Sequence, residues 1–347
     1  MKAMKLTGIR ALRMFDAPDP EIRTPHDVRL RLLAVGVCGS DVHYFTTGRI
    51  GSQVVQYPFT VGHECAALVE AVGSAVTRVK PGDRVVVEPA ISCGDCDQCR
   101  AGRPHTCRKL IFLGCPGQTE GCLSERLVMP EVCCLPIPAC MTAFQAALVE
   151  PLAIGLYAVR QSVPLRGAAI GILGCGPIGF SVLLPALAQG ARAAYVTDKL
   201  EPRLALARQT GALWTGNPER EDVVRGIAAR EPGLLDVVFE CCGEQSALDQ
   251  AVALLKPGGK LMLIGIPEVD RVSFSMDALR RNELCLQNVR RQNECTGAAL
   301  DMLARGELRA DFMVTHRFPF ERTPEAFDLV AGYRDGVVKA MIEMDTL

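Results

Sequence analysis

No stretch of the sequence is apolar for long enough to cross a membrane, although hydrophobic residues make up 49% of the chain. The first residues, MKAMKLTGIRALRMFD, are charged throughout and have no apolar core of the kind found in a secretory signal peptide. Net charge is also lacking, since the formal value is -1, and this argues against nucleic acid as a partner. These absences predict a soluble, cytoplasmic protein with neither a membrane nor a nucleic-acid partner.

No internal repeat, low-complexity tract or long linker interrupts the 347 residues, a length that suits two domains of ordinary size. Cysteine, in contrast, is abundant, with 16 residues. Because no export signal precedes them, these cysteines are expected to be reduced thiols and metal ligands rather than disulfides. Six lie in apolar surroundings and are predicted to be small core residues: Cys65, Cys133, Cys134, Cys140, Cys241 and Cys242.

One segment of the N-terminal half combines side chains that suit zinc. Cys38 offers a thiolate. His63 and Glu64, which are neighbours in the sequence, offer an imidazole and a carboxylate. A zinc ion with three protein ligands keeps one position open, which is typical of a catalytic site. Ser40 and His43 follow closely, so a hydroxyl and a second imidazole are expected beside the metal. The alternative is a buried cysteine on one strand and a histidine satisfied within the core on another.

A second candidate metal site follows in the stretch CGDCDQCRAGRPHTC. Its four cysteines can surround one ion and leave no open position, as structural zinc requires: Cys93, Cys96, Cys99 and Cys107. A ferredoxin-type iron–sulfur loop is the alternative. Its last spacing is shorter, however, and its final cysteine precedes proline, whereas Arg108 follows the last cysteine here. We therefore predict a structural zinc that closes a loop and takes no part in the reaction.

Glu150 lies in the segment ALVEPLAIGLYAVRQS, which is predicted to be a helix that enters the second half. A carboxylate in apolar surroundings costs free energy unless it is paired or contacts a metal. Glu150 is therefore a further candidate for the carboxylate shell of the first zinc. The alternative is a glutamate at the start of a helix that faces water.

The two halves of the chain differ in their pattern of strands and helices. Up to about residue 90, short β-type runs are broken by proline and glycine, which predicts a compact, mostly antiparallel β unit. From Ala168 onward, strands alternate with helices, which predicts a doubly wound parallel sheet. The last strand-like run, GVVKAMIEM, resembles the first half, so the C-terminal segment is expected to fold back on the first domain.

The alternating region opens with AAIGILGCGPIG, an apolar strand followed by a glycine-rich turn and a helix, and a second strand ends at Asp198. This context is the dinucleotide fingerprint, because the glycines let the backbone approach the pyrophosphate and the carboxylate accepts the ribose hydroxyls. Asp198 would repel a 2′-phosphate, so NAD is favoured over NADP, although Lys199 or Arg203 could neutralise such a phosphate. The predicted cofactor-binding residues are Gly174, Gly176, Pro177, Ile178, Gly179, Asp198, Arg203, Ile264, Ile266 and Val289.

Together, the motifs CGSDVHYF, GRIG, GHE, VEPLAIG, GPIG and VTHRFPF resemble those of zinc-containing medium-chain dehydrogenases, and among these the sorbitol (polyol) dehydrogenases most. The resemblance covers nearly the whole chain. It implies a GroES-like, mostly-β catalytic domain over residues 1–155 and 290–347 that carries both zinc sites. It also implies a Rossmann NAD-binding domain over residues 156–289, and a homo-oligomer, either a tetramer or a dimer.

The resemblance further implies roles for single residues. The catalytic zinc is bound by Cys38, His63 and Glu64, and Glu150 reaches it directly or through its water. Ser40 and His43 match the proton-relay positions. The residues expected near the substrate are Tyr44, Phe112, Glu150, Arg290 and Arg291. Animal sorbitol dehydrogenases usually have an aromatic residue in place of Arg291, which leaves the identity of the sugar alcohol open.

The expected reaction is transfer of a hydride from a secondary alcohol of a sorbitol- or xylitol-like polyol to NAD, which gives a ketose. Three alternatives within the same superfamily stay open: an aldonate dehydrogenase, a cyclitol dehydrogenase and an L-threonine dehydrogenase. A non-catalytic protein that has kept the fold is the alternative from a different class.

Overall fold

The structure, a computed structural model, describes residues 1–344. The last three residues of the predicted C-terminal segment, 345–347, lie outside the described residues. The strands are β1 (Lys2–Gly8), β2 (Ala11–Asp16), β3 (Asp27–Gly36), β4 (Arg49–Ile50), β5 (Gln53–Val54), β6 (Glu64–Val72), β7 (Arg84–Val87), β8 (Ala90–Ile91), β9 (Ile111–Phe112), β10 (Arg126–Pro130), β11 (Cys134–Pro136), β12 (Ala169–Leu173), β13 (Ala193–Thr197), β14 (Trp214–Gly216), β15 (Leu235–Glu240), β16 (Leu255–Leu263), β17 (Cys285–Asn288), β18 (Val314–Pro319) and β19 (Lys339–Glu343).

The α-helices are α1 (Gly39–Thr47), α2 (Asp97–Arg100), α3 (Ala143–Ala147), α4 (Val149–Gln161), α5 (Pro177–Ala188), α6 (Glu201–Thr210), α7 (Val223–Arg230), α8 (Gln245–Leu254), α9 (Met276–Arg281), α10 (Thr296–Ala304) and α11 (Thr323–Ala331). Short 3₁₀ helices span Pro104–Thr106, Glu131–Cys133, Asp311–Met313, Phe320–Arg322 and Arg334–Gly336. No helix within residues 1–344 has both the length and the apolar character needed to cross a membrane.

The described chain divides into two compact units. The first contains Met1–Glu150, Thr296–Arg305 and the segment from Ala310 onward, and the second contains Pro151–Cys295 and Gly306–Arg309. These borders lie a few residues from the predicted ones at 155/156 and 289/290. The first border differs because helix α4 begins in one unit and continues into the other.

The first unit is built on a seven-stranded sheet with the order β11-β7-β6-β3-β19-β18, in which β10 also pairs with β3. Its pairs are antiparallel except for β18 and β19, which run parallel. Alternate residues of β3 are buried, namely Val28, Leu30 and Leu32, which is typical of a strand with one face on the core. Strand β19 pairs with β3, so this C-terminal strand returns to the first unit.

The second unit contains a six-stranded sheet with the order β14-β13-β12-β15-β16-β17. All of its strand pairs are parallel, which confirms the predicted doubly wound sheet. Every residue of β12 and β13 is buried, as expected for central strands that are covered on both faces.

All sixteen cysteines are free thiols, and Cys65, Cys133 and Cys134 are buried as predicted. The prediction of a core position is wrong for Cys140 and Cys242, which are exposed, while Cys241 is partly exposed. The physical reason is local: Cys140 lies in the turn after β11, and Cys242 follows the end of β15. Apolar neighbours in sequence do not bury a side chain where the chain leaves a regular element.

Candidate active site

Strand pairing in the first unit brings the predicted metal ligands together. Gly36, at the end of β3, pairs with Glu64, at the start of β6, so Cys38 arrives beside the His63–Glu64 pair. The thiol sulfur, an imidazole nitrogen and a carboxylate oxygen of these three residues all lie within 4.8 Å of one another. His63 and Glu64 are buried and Cys38 is partly exposed.

Helix α1 places the predicted relay residues directly after the thiol. Cys38 is the N-cap of α1, and the hydroxyl of Ser40 lies 3.4 Å from its sulfur. His43 is three residues further along α1, on the same face of the helix as Ser40. Gly48 ends the helix in a left-handed conformation, with φ at 72°.

Asp41 is a site residue that the sequence pattern did not indicate. Its Oδ1 lies 3.4 Å from His63 Nδ1 and also accepts the backbone N–H of Gly62 at 3.2 Å. The side chain is only 1% exposed. A carboxylate on Nδ1 fixes the ring orientation and leaves Nε2 as the metal donor. An acidic residue in the first turn of a helix is common for other reasons, so position alone did not suggest this role.

The electrostatics of this cluster favour a cation. Burial lowers the pKa of His63, but the negative charges of Asp41 and Cys38 outweigh it and raise that pKa well above its ordinary value. A metal ion satisfies the same negative groups without a proton. The donors are a thiolate, an oriented imidazole and a carboxylate, a set that fits zinc.

We expect the substitution Asp41→Asn to lower kcat/KM by about 10- to 100-fold, because a neutral amide in place of the carboxylate no longer raises the basicity of the His63 imidazole. The measurement is the steady-state rate of the expected polyol oxidation, together with zinc content after dialysis against a chelator. Asp16→Asn, an exposed carboxylate on β2, is the control and should leave both unchanged. Unchanged zinc retention and rate in Asp41→Asn would contradict the assigned role.

Glu64 has a buried cation as its neighbour. The Nζ of Lys339, on β19, donates to both carboxylate oxygens at 2.8 and 2.7 Å, and to the carbonyl of Val37 at 3.2 Å. Both side chains of this ion pair are 1% exposed. Burial lowers the pKa of Lys339, but Glu64 and Cys38 raise it overall above the usual value. The ammonium is therefore charged and faces the metal ligands.

Glu150 is buried at the start of α4, as predicted. The pKa of Glu150 is raised to about 8, mainly by burial; Glu64 and Glu88 also raise it, and His63 and Lys339 lower it. Within residues 1–344, the donor atoms that lie within 4.8 Å of one another do not include Glu150. Its direct binding to the metal, or its contact through water, stays a prediction.

The residues predicted near the substrate belong to both units of the structure. The ring of Phe112 lies against His63, with the ring centroids 5.2 Å apart. Tyr44 is buried on α1, and its hydroxyl donates to Gln53 Oε1 at 3.2 Å. Arg290 and Arg291 belong to the second unit, just after β17. For all four, contact with a substrate stays a prediction.

The four-cysteine loop forms the second candidate metal centre. Its Sγ–Sγ distances are 3.6 Å for Cys96–Cys99, 3.9 Å for Cys96–Cys107 and 3.4 Å for Cys93–Cys107. In a tetrahedral site with Zn–S bonds of about 2.3 Å, the sulfurs lie about 3.8 Å apart. Backbone N–H groups of Arg108 and Cys99 lower the pKa of Cys96 to about 6, which favours the thiolate. The geometry therefore fits zinc.

In the second unit, the predicted cofactor residues follow the carboxyl ends of parallel strands, where such sheets bind ligands. Gly174 follows β12 with φ at 91°, and a Cβ at Gly179 would lie 2.2 Å from the Gly174 carbonyl oxygen. Pro177 and Ile178 open α5 directly after the N-cap, Gly176. Ile264 and the exposed Ile266 follow β16, and Val289 follows β17.

Asp198, which follows β13, is held in place by its neighbours. Its carboxylate accepts the backbone N–H groups of Cys175 at 2.7 Å and Leu200 at 2.9 Å, and Arg203 Nη1 lies 3.8 Å away. Lys199 is paired with Glu244, at 2.8 and 2.9 Å, and lies 3.7 Å from Glu219. Lys199 is thus already neutralised by carboxylates.

Comparison with known proteins gives two family matches, one in each half of the chain. The alcohol dehydrogenase GroES-like domain family matches residues 24–139, and the zinc-binding dehydrogenase family matches residues 177–305. Sorbitol dehydrogenase of Bacillus subtilis is 35% identical over 346 residues, which cover 99% of this chain and 97% of that protein. The chain belongs to the zinc-containing medium-chain dehydrogenase/reductase superfamily.

Further relatives fit this superfamily. L-idonate 5-dehydrogenase of Vitis vinifera is 33% identical, over 94% of this chain and 90% of that protein. A protein provisionally named a zinc-binding dehydrogenase, from Sinorhizobium meliloti 1021, has a solved structure with bound NADP. It is 30% identical, covers 99% of this chain and 98% of its own, and superposes with a TM-score of 0.90. The present chain is accordingly a zinc-dependent alcohol dehydrogenase of polyol type.

Proposed function

We propose that this medium-chain dehydrogenase oxidises a secondary alcohol of a sorbitol- or xylitol-like polyol to a ketose, with NAD as the hydride acceptor. The observation that carries the proposal is the cluster of Cys38, His63 and Glu64, with the hydroxyl of Ser40 3.4 Å from the thiol. The sorbitol dehydrogenase and L-idonate dehydrogenase relatives support a substrate with several hydroxyl groups.

Zinc bound by these ligands would supply a Lewis acid that lowers the pKa of an alcohol hydroxyl, and NAD would accept the hydride. Ser40 accepts the proton of the substrate hydroxyl and gives up its own towards His43, one turn further along α1, which releases a proton to solvent. Asp41 keeps His63 in its orientation, and Phe112 covers the imidazole ring and keeps water from that side.

The environment of Asp198 supports NAD rather than NADP. Its carboxylate would repel a 2′-phosphate, and Lys199 is engaged by Glu244. We expect kcat/KM to favour NAD by about 100-fold or more, and Asp198→Asn to reduce that ratio by about tenfold. Asparagine keeps the size of the side chain and one oxygen that can accept the N–H of Cys175, while the hydrogen bond from Leu200 is lost. A parent enzyme that prefers NADP would contradict this assignment.

The substrate is tested with a panel of polyols, cyclitols, aldonates and threonine, each assayed by NADH formation. A sorbitol- or xylitol-like polyol is expected to give the highest kcat/KM. Arg290 and Arg291 favour an aldonate as the second candidate, because a guanidinium pairs well with a carboxylate. No activity with any polyol, but turnover of an aldonate, would replace the first proposal with the second.

Assembly as a homo-oligomer and a cytoplasmic location are also proposed, on the basis of the resemblance to polyol dehydrogenases. Light scattering of the purified protein measures the mass of the assembly directly. A mass equal to that of one chain would contradict the proposed homo-oligomer.

A further inference from the structure

We propose that Lys339 is a positioning residue for the metal at Cys38, His63 and Glu64. Its ammonium donates to both oxygens of Glu64. It thereby balances the negative charge of this carboxylate and weakens its binding to the metal. The inference rests on the proposed function only in taking these three residues as the site of the catalytic metal.

The fold provides a closely fitted site for this ion pair. The ammonium of Lys339 has three acceptors, the two oxygens of Glu64 and the carbonyl of Val37, which match its three N–H donors. Gly36, the cross-strand partner of Glu64, leaves the space for the carboxylate, since a Cβ there would lie 2.2 Å from Glu64 Oε2. Even an alanine at this position would displace the carboxylate.

The ion pair of Lys339 with Glu64 changes the net charge of the metal site. A divalent zinc ion with the thiolate of Cys38 and the carboxylates of Glu64 and Asp41, the last of which contacts His63, has a net charge of minus one. With the ammonium of Lys339 included, the net charge is zero. A neutral site stabilises a negative oxygen on the substrate better than a negative one, because little water screens charges that are buried this deeply.

The pair also limits how Glu64 binds the metal. A carboxylate that shares its oxygens with an ammonium is a weaker ligand than a free one, and the metal then keeps a position for the substrate. Without Lys339, Glu64 would be a buried, unpaired charge, and binding the metal would be its most favourable compensation.

The test compares Lys339→Met with Lys339→Arg, the double variant Lys339→Met/Glu64→Gln, and the parent. Each protein is loaded with cobalt in place of the catalytic zinc. The visible spectrum and the rate of metal loss to a chelator are then recorded without substrate. Arg126→Met is the matched control, because it breaks an ion pair with Glu70 on the same strand, β6.

We expect Lys339→Met to show a changed cobalt spectrum, metal loss slowed by about tenfold, and kcat/KM lowered by about 100-fold. Lys339→Arg should restore the parent spectrum, and the double variant should lose its metal no more slowly than the parent. If Lys339→Met does not fold, Gly36→Ala should give the same spectral change by pushing Glu64 away from the ammonium. The control should match the parent in every metal measurement.

A parent-like spectrum and rate of metal loss in both Lys339→Met and Gly36→Ala would overturn the proposal, even if both proteins melted at lower temperatures. That result would make the ion pair purely structural. Since the metal measurements need no substrate, a parent protein that oxidised no polyol would count against the proposed function alone.

Discussion

Replacing Cys38 or His63 with alanine is expected to reduce polyol oxidation by at least about 10,000-fold, while the Kd for NAD stays within about twofold of the parent value. Each substitution removes a ligand of the candidate catalytic metal, and with it the group that makes an alcohol acidic enough to ionise. The dinucleotide fingerprint from Gly174 to Asp198 lies in the second unit and shares no residue with this cluster.

The measurements are steady-state kinetics, NAD binding by calorimetry, and zinc content per chain. Zinc should fall from two ions to one, because the four-cysteine loop keeps its own. Cys140→Ala, an exposed thiol in the same unit, is the control and should behave as the parent does. If Cys38→Ala lost NAD binding together with activity, this zinc would be structural and the proposed mechanism would be wrong.

The parts of the site that could be predicted from the sequence are those whose residues lie close together in a short motif. The thiol, hydroxyl and imidazole of Cys38, Ser40 and His43 fall within one turn and a half of α1, so their proximity is local. The glycine turn before α5 is also local, since strand, turn and helix follow one another directly. In such cases residue type and spacing determine the geometry.

The partners that escaped prediction depend on the register of distant strands. Lys339 reaches Glu64 across 275 residues of sequence, because β19 pairs with β3 and β3 pairs with β6. Nothing in the apolar run GVVKAMIEM indicates which residue its lysine contacts. Asp41 is close in sequence to Cys38, but its contact with His63 also requires the β3–β6 pairing.

Glu150 shows the limit of arguments from composition. Its apolar neighbours correctly indicated a buried carboxylate, because burial depends on the local pattern. Its distance from the metal ligands depends instead on where α4 begins relative to β6, and these elements are far apart in sequence. The sequence therefore predicted a buried carboxylate and left its contact with the metal undetermined.

The substitution Cys96→Ser is expected to lower the melting temperature by about 5–10 °C, while kcat per catalytic zinc changes by less than about threefold. The loop between β8 and β9 has almost no core of its own, since His105 and Cys107 are its only buried residues between 92 and 110. A metal ion bound by the four thiols would therefore join the two arms of the loop, which the structure otherwise links by exposed contacts such as the ion pair of Arg108 with Asp97. Serine replaces one thiolate with a poor zinc ligand and opens the tetrahedron.

The effect on the reaction should be small because the loop is closed at its base by a strand pair, with Ala90 opposite Phe112. That pair holds Phe112 against His63 even when the loop above it loosens. Arg108→Ala is the matched control: it breaks the exposed ion pair with Asp97 in the same loop, and such exposed pairs contribute little to stability. Thermal unfolding, zinc content and kinetics distinguish a structural role of the four-cysteine centre from a catalytic one. A Cys96→Ser protein as stable as the parent but inactive would show that the four-cysteine centre takes part in the reaction after all.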